Sequence, residues 1–252
     1  MDFDIIHLRE VDSTNKYCRN LGKMGKKNLI VISDVQSSGV GRLERKWHSQ
    51  YGGLYFSILL GLNEVKNKNK NENMGKLNFI GSISLYESLF DYINNASKSV
   101  EDYNIKTFGI KYPNDLIINI NGNNKKISGI LSEVNMDYGF LILGIGININ
   151  NNISRDLKDI AISLKELTGR EHNRFEVFNK FIDRFKNNYH LSDSEILNKY
   201  EKYSKTLGNY VKIITPKEVI IGTVFKIDYE GIYLSTFDGI KHVNVGDCIH
   251  LR

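Results

Sequence analysis

The sequence predicts an α+β fold: a mixed β-sheet flanked by helices, followed by a small all-β domain. Apolar runs of strand length alternate with amphipathic helical segments through the larger part of the chain. A closing stretch, Tyr210–Leu251, holds short strand-like runs split by Thr215–Pro216, Tyr229–Gly231, Asp238–Gly239 and Gly246–Asp247, the spacing of a small β-barrel. Between these, polar and glycine-rich clusters interrupt apolar strands where packing alone would not need them. The division expected is a domain over 1–205 and a β-domain over 206–252.

The elements follow in order. Phe3–Leu8 reads as a strand, and Asp12 or Ser13 offers an N-cap for a helix to about Leu21. Asn28–Asp34 and Gly53–Leu60 are strands flanking a basic, glycine-broken loop. Asn63–Gly75 is a polar, low-complexity run expected as a surface loop. Lys76–Asn94 carries Leu77, Ile80, Ile83, Leu85, Leu89 and Ile93 at helical spacing. Four strands are then expected, Phe108–Tyr112, Leu116–Ile120, Ile127–Asn135 and Gly139–Ile147, with Asn121–Gly122 as a hairpin turn. Asp156–Leu167, Phe175–Tyr189 and Ser194–Ser204 read as helices.

Composition narrows the class of function. Hydrophobic residues make up 41% and charged residues 25% of 252, ordinary for a globular protein. No apolar run is long enough to span a bilayer, and the acidic N-terminus lacks a signal-peptide pattern. Cys18 and Cys248 lie far apart and read as free thiols in a reducing, cytoplasmic compartment. The net charge of +5 permits an anionic substrate, but it is too mild and scattered to argue for nucleic acid. The histidines show no metal-ligand spacing.

Four clusters carry the chemistry. Asp12–Asn15 opens the first helix. Val35–Gly53, VQSSGVGRLERKWHSQYGG, places Arg42, Arg45, Lys46 and the lone tryptophan, Trp47, in one bend. Cations and free N–H groups together there suit a carboxylate or a polyanion. Lys111–Asp115 puts a lysine at the end of one strand and a carboxylate at the start of the next. Lys125–Glu133, with Gly129 inside a strand, marks a bulge or a close approach of a ligand to the backbone. Each cluster alone is as easily a cap, a solvated loop or a turn.

In this order and register, VDSTN (11–15), QSSGVGRLERKW (36–47), KYPNDL (111–116), KKISGIL (125–131) and GIGININ (144–150) resemble the biotin–protein ligases over essentially the whole chain. The resemblance implies a class II synthetase-like core with an SH3-like C-terminal domain, and ATP, Mg²⁺ and biotin as reactants. Biotin would be activated as biotinyl-5′-AMP and passed to a lysine of a biotin carboxyl carrier domain. By the same resemblance, Lys111 and Arg42 are the electrostatic catalysts bridging carboxylate and phosphate. Ser13, Thr14, Asn15, Gln36, Gly39, Gly41, Arg42, Trp47, Lys126 and Gly129 would hold biotin. Arg45, Lys46, Trp47, Asn114, Asp115, Asn148 and Arg252 would join Arg42 and Lys111 at the nucleotide, with Asp115 meeting Mg²⁺ through ATP. A homodimer is the assembly implied.

The chain departs from the family's GRGRRGRKW loop at Val40, Leu43 and Glu44. The expectation is a more ordered free loop that leans on Arg42, Arg45 and Lys111 to retain the adenylate. The DSTN run starts too early for the DNA-binding domain some members carry, so a ligase alone is expected. A lipoate-type ligase and a non-catalytic biotin sensor are the rival readings.

Overall fold

The computed structural model describes residues 2–62, 70–99, 105–244 and 246–251. Strands β1 (Asp4–Val11), β2 (Leu29–Gln36), β3 (Leu54–Gly61), β4 (Ile105–Lys111), β5 (Asp115–Ile120), β6 (Asn123–Asn135) and β7 (Phe140–Ile147) form a seven-stranded sheet, ordered β1-β2-β3-β7-β6-β5-β4. β1 and β2 run parallel and are joined by helix α1 (Thr14–Lys23), while all other neighbours are antiparallel. This is the mixed sheet that the sequence predicts.

Side-chain alternation decides how the sheet is covered. Ile30 and Ile32, Phe56 and Ile58, Leu116 and Ile118, Leu141, Leu143 and Ile145 share one face and one buried cluster. Helix α2 (Lys70–Ser99) packs there with α4 (Arg174–Tyr189) and α5 (Asp193–Tyr203), and Phe56 meets Phe178 and Phe181 edge-on, both at 5.2 Å. Each such side chain fully buried contributes about 1.5–3 kcal/mol. On the other face, Leu29, Val31, Leu59, Phe140 and Ile142 pack around Cys18 of α1. α1 packs chiefly on β2, β3 and β7 and meets β6 at Leu131 and Glu133, so β5 and the Lys126–Gly129 part of β6 keep that face for a cavity.

Local chemistry sets the turns and helix ends. Asn121 (φ 50°) and Gly122 (φ 87°) both adopt the left-handed region between β5 and β6, as the expected Asn-Gly hairpin requires. Ser192 and Glu195 form a capping box that opens α5, and Asn173 caps α4.

Two expectations are corrected. The polar run at 63–75 is not wholly a loop: α2 begins at Lys70, and residues 63–69 lie outside the described ranges. The second turn of α2 has a docking partner, since a Cβ on Gly75 would stand 2.3 Å from the Tyr229 carbonyl oxygen. The helix expected over Asp156–Leu167 is broken into a 3₁₀ turn (Arg155–Leu157), an extended piece and a short helix α3 (Leu164–Thr168). The extended piece is held by β6: Lys126 N–H donates to the Ile160 carbonyl (2.8 Å), and Ile162 N–H donates to that of Lys126 (3.0 Å). Non-local pairing outweighs local helical spacing there.

The C-terminal strands β8 (Tyr210–Ile214), β9 (Val219–Asp228), β10 (Gly231–Thr236), β11 (Gly239–Val243) and β12 (Asp247–His250) make an antiparallel sheet in the order β11-β10-β9-β8-β12. This is the small SH3-like domain. Its inward residues Val211, Ile213, Val224, Ile232 and Leu234 join the main core. Phe79 of α2 bridges the parts, stacking on Tyr200 at 3.7 Å and meeting Tyr229 edge-on at 5.3 Å. No helix among the described residues is long and apolar enough to cross a membrane.

Candidate active site

The cavity forms where one face of the sheet runs out of side chains. Along β7, Phe140 and Ile142 fill the α1 side, and the next two residues on that side are Gly144 and Gly146. Gly146 lies directly across from Gly129 of β6, which in turn faces Asp115 of β5. The bare floor is closed by the basic loop, the 151–161 segment and β12, enclosing about 710 Å³.

At the inner end, the entry to α1 supplies hydroxyls. Ser13 occupies the N-cap position, yet its side chain makes no cap bond and it lines the cavity instead. Thr14 N–H and Oγ1 both donate to Gln36 Oε1 (2.8 and 3.1 Å), and Gln36 Nε2 donates to Ser49 Oγ (2.7 Å). Behind them Ser57 Oγ lies 2.7 Å from Thr14 Oγ1 and donates to Asn15 Oδ1 at 2.6 Å. Asn15 Nδ2 donates to Glu133 Oε1 (2.9 Å), whose other oxygen accepts from Arg19 (2.5 Å). Sequence reasoning missed Ser57 and Arg19 and gave Glu133, the end of the Lys125–Glu133 cluster, no role of its own; they are ordinary residues on a strand or a helix until these partners are known.

The outer end is cationic. Arg42, Arg45, Lys46, Lys111 and Lys126 line it, against the carboxylates of Asp115 and Asp247. Lys126 pairs with Asp115 at 2.6 Å and lies 5.0 Å from the centre of the Trp47 ring. Gly129 makes room for that lysine, because a Cβ there would stand 2.8 Å from Lys126 Nζ. Trp47 backs onto Gly146, and its Nε1 is buried with no acceptor among the described residues. Asn114 donates its amide to the Ile130 carbonyl, while Asn148 Oδ1 accepts from Asn151 at 3.1 Å.

Every residue singled out from the sequence lines this cavity except two. Gly39 stands behind the wall, where a Cβ would lie 2.6 Å from Ser49 Oγ. Arg252 lies outside the described residues. Beyond Arg252, sequence reasoning missed the C-terminal residues Asp247 and Cys248, which line the cavity. Burial pushes the Cys248 thiol up to about 12, so it is a packing residue and not a nucleophile at neutral pH.

The basic loop is tethered to the C-terminal sheet. Arg42 Nη2 donates to the Gly246 carbonyl at 2.9 Å, and Arg45 forms an ion pair with Asp247. Leu43, between them, sits in the left-handed region at φ 52°. Arg45 is largely exposed, so the pair is worth only about 0.2–1 kcal/mol. Asp247→Asn is expected to speed tryptic cleavage after Arg45 and Lys46 by up to about fivefold, read by limited proteolysis.

Known proteins of similar sequence and fold place the chain in a family. Residues 8–151 match the biotin/lipoate A/B protein ligase family. The chain belongs to that family. Within it the chain sides with the biotin–protein ligases. The bifunctional ligase/repressor BirA of Bacillus subtilis is 29% identical over 258 residues, spanning 96% of this chain and 73% of the relative. The biotin protein ligase of Aquifex aeolicus in complex with biotin and ATP superposes with a TM-score of 0.78 at 33% identity, over 99% of each chain. The Leishmania major ligase in complex with biotinyl-5-AMP shares the fold, with a TM-score of 0.65 at 20% identity over 96% of this chain and 99% of that one. Family membership makes this cavity the candidate centre of a ligase.

Proposed function

We propose that this ligase activates biotin with ATP as biotinyl-5′-AMP and transfers the biotinyl group to a lysine of a biotin carboxyl carrier domain. A biotin carboxylate oxygen attacks the α-phosphorus, the bond to the β-phosphate breaks and pyrophosphate leaves. The acceptor amine then attacks the mixed anhydride, releasing AMP and a proton. The observation that carries this reading is the polarity of one cavity. A hydroxyl–amide cluster (Ser13, Thr14, Gln36) stands at one end and cations (Arg42, Lys111, Lys126) at the other. The first end suits a neutral ureido head, which both donates and accepts. The second suits a carboxylate meeting a phosphate, where fixed cations offset the charge that brings two anions together.

The roles are those the resemblance implies, and the cavity lining supports them. Lys111 and Arg42 are the electrostatic catalysts, and Lys126 meets the biotin carboxyl end. Trp47 walls the valeryl chain or the adenylate, beside Gly41, Gly129 and Asn15. Arg45, Lys46, Asn114 and Asn148 hold the nucleotide, with Arg252 assigned there by resemblance. Mg²⁺ would arrive with ATP and meet the Asp115 carboxylate. A lone carboxylate fits this ion, which keeps most of its shell as water and phosphate oxygens. The catalytic unit is residues 1–205, the small domain 206–252, and the assembly a cytoplasmic homodimer.

The test is biotin-dependent exchange of labelled pyrophosphate into ATP, run beside lipoate and octanoate. Exchange with biotin alone is expected. Exchange with lipoate would move the chain to the other branch of its family, and binding without exchange would make it a sensor.

A further inference from the structure

We propose that Thr206 and His250 act together as positioning residues for Lys111, which makes the C-terminal sheet part of the adenylation centre. The inference rests on the reading of Lys111 as the electrostatic catalyst. β4 is an edge strand, paired on one side with β5. Its free edge is taken at the Lys111 end by the segment that follows α5. Ile110 bridges to Ser204, and Lys205 N–H donates to the Ile110 carbonyl at 2.7 Å. Gly109 admits this segment, since a Cβ there would stand 2.5 Å from the Tyr203 carbonyl oxygen. The next contact comes from a side chain: Tyr112 N–H donates to Thr206 Oγ1 at 2.9 Å. Thr206 is fully buried, so this bond is not shared with solvent.

That contact settles the direction of the one beyond it. A threonine hydroxyl has a single proton. Thr206 Oγ1 accepts from the Tyr112 backbone, and among the described residues the acceptor within reach of its own buried proton is His250 Nε2, at 3.0 Å. Nε2 is therefore a bare acceptor, and the imidazole is neutral with its proton on Nδ1. Burial, aided by the Lys111 charge, lowers the His250 pKa to about 4, so the ring stays neutral at neutral pH. An imidazolium would put a donor on Nε2 and leave the buried Thr206 hydroxyl proton without its acceptor, and the relay would break. His250 lies on β12, paired to Val211 of β8. The sheet thus holds, through two hydrogen bonds, the peptide from which the Lys111 side chain departs. Tyr200 Oη donates to the Pro113 carbonyl at 3.1 Å, fixing the next turn of chain from α5.

Thr206→Val keeps the shape and removes the hydroxyl, while Thr206→Ser keeps the hydroxyl. In the full chain, Thr206→Val is expected to lower kcat for biotin-dependent pyrophosphate exchange roughly 10- to 100-fold, the scale of an ångström-sized misplacement. The biotin Kd should stay unchanged and Thr206→Ser should stay within about twofold of the parent. His250→Phe, which removes the acceptor from the other end, should reproduce the loss. In the double variant with Lys111→Ala, Thr206→Val should add nothing, because both act through one group. Wild-type kcat in Thr206→Val or in His250→Phe, or losses that multiply with Lys111→Ala, would overturn the proposal and leave the reading of Lys111 standing. Full exchange by Lys111→Ala alone would overturn both. Should Thr206→Val fail to fold, His250→Phe decides the matter.

Discussion

Lys111→Ala is expected to lower biotin-dependent pyrophosphate exchange by about 10²–10³-fold, the cost of removing one preorganised donor from a developing charge, while biotin still binds. The reason lies in what the other cations of the cavity already do. Lys126 is paired with Asp115, Arg45 with Asp247, and Arg42 donates to the Gly246 carbonyl. Among the described residues no carboxylate lies within ion-pair distance of Lys111, although it lines the same wall. With Lys46 of the loop, it is a charge that a carboxylate–phosphate encounter meets without first breaking an internal ion pair, and it stands on the sheet beside Asp115. An interaction realised in the transition state shows in kcat, whereas uniform binding shows in KM. Pyrophosphate exchange with biotin calorimetry on the same sample separates the two, and a loss confined to Kd would make Lys111 a binding residue. Lys111→Arg should recover only part of the rate, because a planar, forked guanidinium does not occupy the position of a point charge.

The sheet was legible because its pattern is local. Leu54–Gly61 is apolar but for Ser57 and Phe140–Ile147 is apolar throughout, as strands covered on both faces are, and Asn121–Gly122 needs only its own backbone to turn. The cavity was half legible. GIGI reads as a strand lacking side chains on one face, and KISG as another, but only the pairing of Gly129 with Gly146 shows that both gaps fall at one place. What stayed hidden depends on distant partners. Ile160–Ile162 carries a helix-compatible pattern, yet its backbone pairs with Lys126, which no window of neighbours can display. Thr206, Asp247 and His250 are unremarkable in a short β-domain until β12 is seen against the Lys111 turn. The polar run at 63–75 looked featureless because Gly75 is where another chain segment packs, and a glycine in a lysine- and asparagine-rich stretch carries no mark of that.

Gly144→Ala should be the most damaging single-methyl change in the cavity floor. The new Cβ would stand 1.9 Å from Asn15 Oδ1 and 2.6 Å from its Cγ, far inside contact distance. A flexible side chain could swing away at little cost, but Asn15 cannot. It is 7% exposed, its oxygen accepts from Ser57 at 2.6 Å, and its amide donates to Glu133 at 2.9 Å and to the Leu131 carbonyl at 3.3 Å. Displacing it strands the Ser57 hydroxyl, which also braces Thr14 at 2.7 Å, and so disturbs the hydroxyl cluster at the inner end. The strain should cost about 1–3 kcal/mol of folding stability. A similar loss passed to the ligand raises the biotin Kd on the order of 10- to 100-fold. Denaturant unfolding and biotin calorimetry measure the two terms. Gly122→Ala is the matched control, with nothing within 4 Å of its Cβ and its own left-handed φ of 87°; it should lose stability through backbone strain alone and leave Kd untouched. If Gly144→Ala loses stability yet binds biotin normally, the Asn15–Ser57–Thr14 network braces the fold without shaping the ureido end. A Kd that rises in Gly144→Ala and not in Gly122→Ala ties that network to the ligand.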